Sequence, residues 1–409
     1  MKYILIIGDG MADDPVPELG GLTPLQYAKT GTMDDLASAG ELGSALTVPE
    51  GMQAGSDVAI LSIFGCDPRE YFFGRAPLEA AATGILLSPG DVAYRLNMVS
   101  FEDCDKVFED KKIVSHSAGS IEGAVSDALI AELFDTPPFR ETAIKAGIKV
   151  YPGSSFRHIA VQKAPDIRYI SLIPPHDHLG EPLGAHLPGG CDNAVVLSRL
   201  MRLAHEILDA HPINDTRRLD AKLPANGIWF WAEGTAAELP DFTGRYGKTG
   251  GIISAVPLCQ GIGALIGLDV VLVEGATGEL HTNYEGKVAA VLETLKEHDF
   301  AAVHIEAPDE CTHDGDTAGK LQAIEWIDNR VVAPLVSSLG KAGEDYRMLI
   351  ISDHRTLTAT RSHGAAPVPY IIYDSRVDKK TGLAFTEADA ARGRCVAGTK
   401  LMGLLFSPG

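Results

Sequence analysis

The sequence predicts an α/β protein with a doubly wound sheet and a smaller α+β segment inserted into it. Three observations carry that expectation. Short apolar runs stop abruptly at polar residues, helical stretches alternate with those runs, and the pattern changes in the middle of the chain. The runs at 3–7, 270–273, 300–305 and 348–351 read as strands. They lead into Gly8-Asp9-Gly10, Glu274-Gly275, Glu306 and Ser352-Asp353-His354 respectively. Near-continuous apolar strands are buried on both faces, as in a parallel sheet. Helical patterns follow at 55–64, 253–265, 284–296 and 317–339. Strands alternating with helices build a doubly wound sheet, whose ligands sit beyond the carboxyl ends of the strands.

From about residue 88 the reading shifts. Strand-like runs at 92–98, 158–161 and 169–173 are interspersed with amphipathic helices at 121–134 and 193–210. Pro152-Gly153, Pro174-Pro175 and Pro188-Gly189-Gly190 punctuate the stretch. This predicts a core formed by 1–88 and 226–409, with 89–225 as an inserted domain.

Composition narrows the function. The 409 residues include 35 basic and 55 acidic side chains, a net charge of −20. Such a chain is ill suited to hold nucleic acid or an anionic membrane by general electrostatics. Its apolar stretches fall short of the roughly 20 residues that span a bilayer. The start, with acidic residues directly after a short apolar run, does not read as a signal peptide. The six cysteines are scattered without a C-x-x-C pair, so a reduced, cytoplasmic setting is expected.

The chemistry-bearing residues cluster at predicted strand ends. Asp9 ends the first strand, and Asp353 and His354 end the last. Asp309 and His313, four residues apart, share one face of a helical turn, and His363 follows in a loop. A lone Asp after a strand is usually a cap or turn former; the weight lies in the set. Mixed carboxylate and imidazole donors suit Mn²⁺ or Zn²⁺, and this many donors suit two ions. Paired ions are the usual clamp for phosphoryl displacement. Ser56, at the start of an apolar helix after Gly55, is the candidate nucleophile. Arg75, Arg95, Arg157, His158, Lys248, His176 and His178 are candidates for holding an anionic substrate. Gly247-Lys248-Thr249 and Gly261-Ile262-Gly263 lack the spacing and leading strand of nucleotide-binding loops.

Together these motifs resemble the alkaline phosphatase superfamily, and more narrowly the archaeal-type cofactor-independent phosphoglycerate mutases. The resemblance rests on Ile-Gly-Asp-Gly-Met-Ala-Asp at 7–13, Gly-Ser-Asp-Val-Ala at 55–59 and Gly-Arg-Ala-Pro-Leu-Glu-Ala at 74–80. Pro-Pro-His-Asp at 174–177, Ala-Pro-Asp-Glu-Cys-Thr-His at 307–313 and Ser-Asp-His at 352–354 extend it. The resemblance implies an alkaline phosphatase-like core with an inserted substrate-holding cap. It implies one metal on Asp309, His313 and His363, and another on Asp9, Ser56, Asp353 and His354. Mn²⁺ is expected foremost, with Zn²⁺ or Mg²⁺ as alternatives, and no 2,3-bisphosphoglycerate. Ser56 would carry the phosphoryl group between 3- and 2-phosphoglycerate, a step of glycolysis and gluconeogenesis. The substrate holders would be Arg157, His158, Arg95, Arg75, Lys248 and His176. A homoserine kinase-like phosphotransferase or a phosphomonoesterase on the same scaffold is the alternative.

Overall fold

The computed structural model describes residues 1–153, 155–236 and 238–407. The chain divides into a large unit, 1–72, 81–83 and 238–409, and a small unit, 73–80 and 84–237. In chain order the strands are β1 (Lys2–Gly8), β2 (Glu41–Leu46), β3 (Val92–Phe101), β4 (Ile113–Ser115) and β5 (Ile148–Tyr151). They continue with β6 (Arg157–Gln162), β7 (Gly227–Thr235), β8 (Gly250–Ile253), β9 (Asp269–Val271) and β10 (Phe300–Ile305). The last are β11 (Tyr346–Ile351), β12 (Arg355–Leu357), β13 (Ser362–Gly364), β14 (Val368–Asp374) and β15 (Cys395–Ala397).

The large unit is built on an eight-stranded sheet in the order β15-β2-β14-β11-β1-β10-β8-β9. β14 alone runs against the others, antiparallel to both β11 and β2. β1 lies at the centre, parallel to β10 and β11, and every residue from Ile4 to Gly8 is buried. Alternation along β1 places Ile4 and Ile6 on one face, in a cluster with Val288, Val291 and Leu295 of helix Tyr284–Glu297. On the other face the Tyr3 ring meets Phe406 of helix Leu401–Phe406 at 5.0 Å. Both faces are therefore covered by helices, as double winding requires. Fully burying each such aliphatic side chain contributes about 1.5–3 kcal/mol.

The small unit is an antiparallel sheet, β4-β3-β6-β5, with β7 also paired to β3. All ten residues of β3 are buried. Helices Gly123–Asp135 and Asp192–Asp209 pack Leu129, Leu133, Leu197 and Met201 against it.

Three sequence expectations differ from what forms. The segment 226–237 falls in the small unit, because β7 pairs with β3 from Gly227↔Val99 to Thr235↔Val92. Residues 73–80 join it, since Ala76 and Ala80 pack on Ala93 of β3. The run at 169–173 is not a strand; Ser171 makes only an isolated bridge to Gly189. Pro174 and Pro175, which have no N–H to donate, follow it directly. The helix expected over 317–339 is split by a π turn at Ile327–Val332. Pro334 has no N–H to bond the carbonyl of Arg330, and the widened turn absorbs the defect. Among the described residues no helix is long and apolar enough to cross a membrane.

Candidate active site

Three adjacent central strands, β11, β1 and β10, deliver acidic residues to one end of the large sheet. Asp9 directly follows β1, and Asp353 lies two residues beyond β11. β10 runs into helix Ala307–Asp314, which carries Asp309 and His313 one turn apart. The β12–β13 hairpin returns His363 opposite Thr356. The loop after β2 leads to helix Ser56–Ile63, in which Ser56 is the first residue and Gly55 the N-cap. Gly10 takes φ +65°, and a Cβ there would stand 2.9 Å from the Asp309 Cα. Only glycine lets the β1 loop approach this closely.

All seven residues of the sequence-derived set come together here. The His313 Nε2 is 3.2 Å from Asp309 Oδ2 and 2.9 Å from His363 Nε2, and His363 Nε2 is 3.4 Å from Asp309 Oδ1. These three form one convergent donor group. Asp9, Asp309 and His354 form a second, so Asp309 serves both. Ser56 Oγ is 3.2 Å from His354 Nε2 and 3.4 Å from Asp9 Oδ2. Asp353 Oδ2 is 3.3 Å from His354 Nε2, while its Oδ1 accepts from the backbone N–H groups of Gly10 and His354.

The electrostatics fit a pair of cations. Asp9 Oδ1 and Asp353 Oδ2 are buried yet receive no hydrogen bond. Buried carboxylate oxygens without a donor are costly unless a cation faces them. Burial, then the charges of Asp353 and Asp309, push the Asp9 carboxyl well above its usual range. Burial pushes Asp309 the same way, but hydrogen bonds from His313 and His363 outweigh it and hold this carboxyl below its usual range. The hydrogen bond to Asp309 raises His313 to about 9. Two imidazole nitrogens and a carboxylate meeting at hydrogen-bond distance leave room for a proton or a metal ion, not both. These donors fit two divalent ions of the Mn²⁺ or Zn²⁺ kind.

A pH dependence follows for the metal-free chain. The folded pKa of His313 lies above the ordinary value of 6.5. Its contribution to stability is therefore full below about pH 6.5 and lost as pH rises through about 9. Urea unfolding of chelator-treated protein should show His313→Asn less stable than the parent at pH 6, with the gap closing by pH 9.5. A gap that is unchanged across this range would contradict the Asp309–His313 pairing.

Further residues order this set, and sequence reasoning missed them. His304 of β10 is buried, with Nε2 2.9 Å from Asp9 Oδ2 and Nδ1 3.2 Å from Ser254 Oγ. Burial lowers it to about 3, and its contact with Asp9 Oδ2 leaves the other oxygen, Oδ1, without a hydrogen-bond partner. Thr356 Oγ1 donates to Asp309 Oδ1 at 2.6 Å and lies 3.2 Å from His354 Nδ1. The one available signal was a histidine inside an apolar strand; nothing in the sequence marked Thr356.

Comparison with known proteins decides the family. A family model described as 2,3-bisphosphoglycerate-independent phosphoglycerate mutase matches residues 37–214. The protein of that description from Methanothrix thermoacetophila is 44% identical over 409 residues, covering 100% of both chains. The chain belongs to the 2,3-bisphosphoglycerate-independent phosphoglycerate mutases. The mutase of Methanosarcina barkeri is 42% identical over 408 residues, with 99% of each chain covered. Among solved structures, a Pyrococcus horikoshii protein aligns with a TM-score of 0.80 and 30% identity over 100% of this chain and 98% of its own. The cofactor-independent phosphoglycerate mutase of Thermoplasma acidophilum aligns with a TM-score of 0.64 and 26% identity, covering 99% of each.

A phosphoglycerate mutase also needs cations for an anionic substrate, and here the sequence-derived set separates. In the small unit Arg95 is 5% exposed, pairs with Glu79 at 2.8 Å and lies 4.4 Å above the Trp231 ring. Burial lowers it to about 10; Glu79 opposes this, and the nearby charges of Arg75 and Arg157 add to it. Burial lowers His176 too, with Asp177 opposing and the charges of Arg95, Arg157 and Arg75 adding. Its ring stands 5.2 Å from Trp231 and 5.9 Å from His116, a residue the sequence did not flag. The guanidinium groups of Arg75, Arg95 and Arg157 thus share one neighbourhood in this mutase, with His176, whose charged form they disfavour, among them.

His158 and Lys248 are placed otherwise. His158 is 1% exposed and both ring nitrogens are engaged, Nδ1 accepting from Gly153 N–H and Nε2 facing Ser126 Oγ at 2.9 Å. Burial lowers it to about 4, so it is a neutral core residue with no valence for substrate. Lys248 precedes β8, with Nζ 5.4 Å from the ring of Tyr3 at the start of β1. Asp9 lies beyond the other end of β1, about 20 Å of strand away.

Proposed function

We propose that the chain interconverts 3-phosphoglycerate and 2-phosphoglycerate through a phosphoserine at Ser56, with two divalent ions. The observation that carries this reading is the placement of the Ser56 hydroxyl beside Asp9 and His354, where the two donor groups share Asp309. Asp309, His313 and His363 would hold one ion; Asp9, Asp353 and His354, with Ser56 Oγ, would hold the other. Bound there, divalent ions supply positive charge that polarises the phosphoryl oxygens and lowers the pKa of the serine hydroxyl.

Ser56 opens its helix, where unbonded backbone N–H groups favour phosphate oxygens. In the first half-reaction Ser56 Oγ gives up its proton and attacks phosphorus, the bond from phosphorus to the C3 oxygen breaks, and that oxygen takes up a proton, so none is gained or lost overall. In the second, the C2 hydroxyl of the retained glycerate loses its proton and attacks the phosphoserine phosphorus, the bond from phosphorus to Ser56 Oγ breaks, and Oγ takes up a proton. The phosphoryl group comes from the substrate itself, so no bisphosphorylated primer is needed. Glycerate must stay bound between the two halves. Arg75, Arg95 and Arg157 would supply the fixed positive charge that retention of a carboxylate calls for, with His176, whose charged form burial disfavours, as a hydrogen-bonding group.

The test uses metal-stripped protein reconstituted with Mn²⁺ and given 3-phosphoglycerate without 2,3-bisphosphoglycerate. The expected product is 2-phosphoglycerate, with free phosphate only a trace. Free phosphate as the sole product would show that water takes the phosphoryl group, and no product would remove the mutase reading.

A further inference from the structure

The small unit holds another convergence of metal-type donors. His178, Glu181 and His186 each offer a ligand atom, and the three atoms lie within 4.8 Å of one another. Glu181 Oε2 is 2.7 Å from His186 Nε2 and 3.3 Å from His178 Nδ1. The two imidazoles stack, with centroids 4.0 Å apart and planes inclined by 21°, so both rings aim a nitrogen at one carboxylate oxygen.

The backbone that presents these side chains is fixed in place. Gly180 N donates to Ile113 O at 2.7 Å, Ile113 N to Glu181 O at 3.1 Å, and Leu183 N to Lys111 O at 2.8 Å. Leu183 is fully buried between the ligand positions. Gly180 takes φ +82°, which turns the chain between His178 and Glu181.

Spacing decides what the group can hold. Ligand atoms about 2.0–2.2 Å from a tetrahedral ion lie roughly 3.3 Å from one another. The His178–Glu181 pair is already at that distance. The Glu181 side chain is 51% exposed, free to draw back the roughly half ångström that the His186 contact requires. Two imidazoles and one carboxylate suit a borderline transition cation, whereas Mg²⁺ and Ca²⁺ favour all-oxygen shells.

We propose that His178, Glu181 and His186 form a site for a divalent transition cation of the Zn²⁺ class, with solvent completing its shell. The site is separate from the donor groups at Asp9 and Asp309 and does not depend on the mutase reading. An ion here ties the turn Pro175–His178 to the turn Leu183–Ala185. His176 stands on the first of these turns.

Zn²⁺ alone is the probe. Full-length protein, stripped with chelator and dialysed against Zn²⁺, is compared with a His178→Ala/His186→Ala double variant and with Glu181→Gln. The double variant should hold one Zn²⁺ fewer per chain. Glu181→Gln, which keeps the side-chain shape, should weaken that ion roughly tenfold or more, with unchanged circular dichroism. Crystals soaked in Zn²⁺ should give an anomalous peak between the three side chains. Equal Zn²⁺ content in parent and both variants, or no peak there, would overturn the proposal.

Discussion

Replacing Ser56 with Ala is expected to lower kcat by at least about 10⁴-fold while leaving the fold intact. The loss is large because the phosphoryl group has no other acceptor in the proposed path. Stability should change by less than about 1 kcal/mol. Gly55, not Ser56, is the N-cap of the helix, and the Ser56 hydroxyl makes only contacts of 3.2 and 3.4 Å. Alanine is also the best helix former. Steady-state turnover and thermal melts of the purified variant check both halves. Retained mutase turnover in Ser56→Ala would remove the serine from the mechanism.

Asp309→Asn should have the second largest effect, because Asp309 belongs to both donor groups. The amide keeps the shape and loses the negative charge that faces His313, His363 and His354. Metal analysis should show Asp309→Asn losing more bound ion than Asp353→Asn, with kcat down about 10³-fold or further. The variant also removes the main cause of the raised His313 pKa, so this group should fall from about 9 toward its ordinary range in the metal-free protein. Metal content equal to the parent's would show that Asp309 holds neither ion.

The residues at strand ends were legible in the sequence because burial leaves a plain signature. An apolar run that stops at Asp9 or at Asp353-His354 marks a strand inside a covered sheet and the end at which the donor groups gather. Short or glycine-rich strands leave no such signature. β8 begins Gly250-Gly251, and β14 carries Pro369, which argues against a strand flanked on both sides. The domain boundary was misplaced because membership of β7 is set by its pairing with β3, a contact between distant parts of the chain. His158 and Lys248 were misread for a related reason. A basic residue looks the same in sequence whether its side chain is exposed or, as in His158, fully hydrogen-bonded in a core. His304 and Thr356 act through Asp9, Asp309 and His354, and such supporting roles depend on tertiary contacts alone.

The phosphoserine relay is tested most directly by a single turnover. Metal-reconstituted protein in excess would be mixed with 3-phosphoglycerate, quenched in acid within the turnover time, digested and examined by mass spectrometry. A phosphoryl group should appear on the peptide containing Ser56 and decay as 2-phosphoglycerate accumulates. Formation of 2-phosphoglycerate with Ser56 unmodified at every time point would contradict the relay.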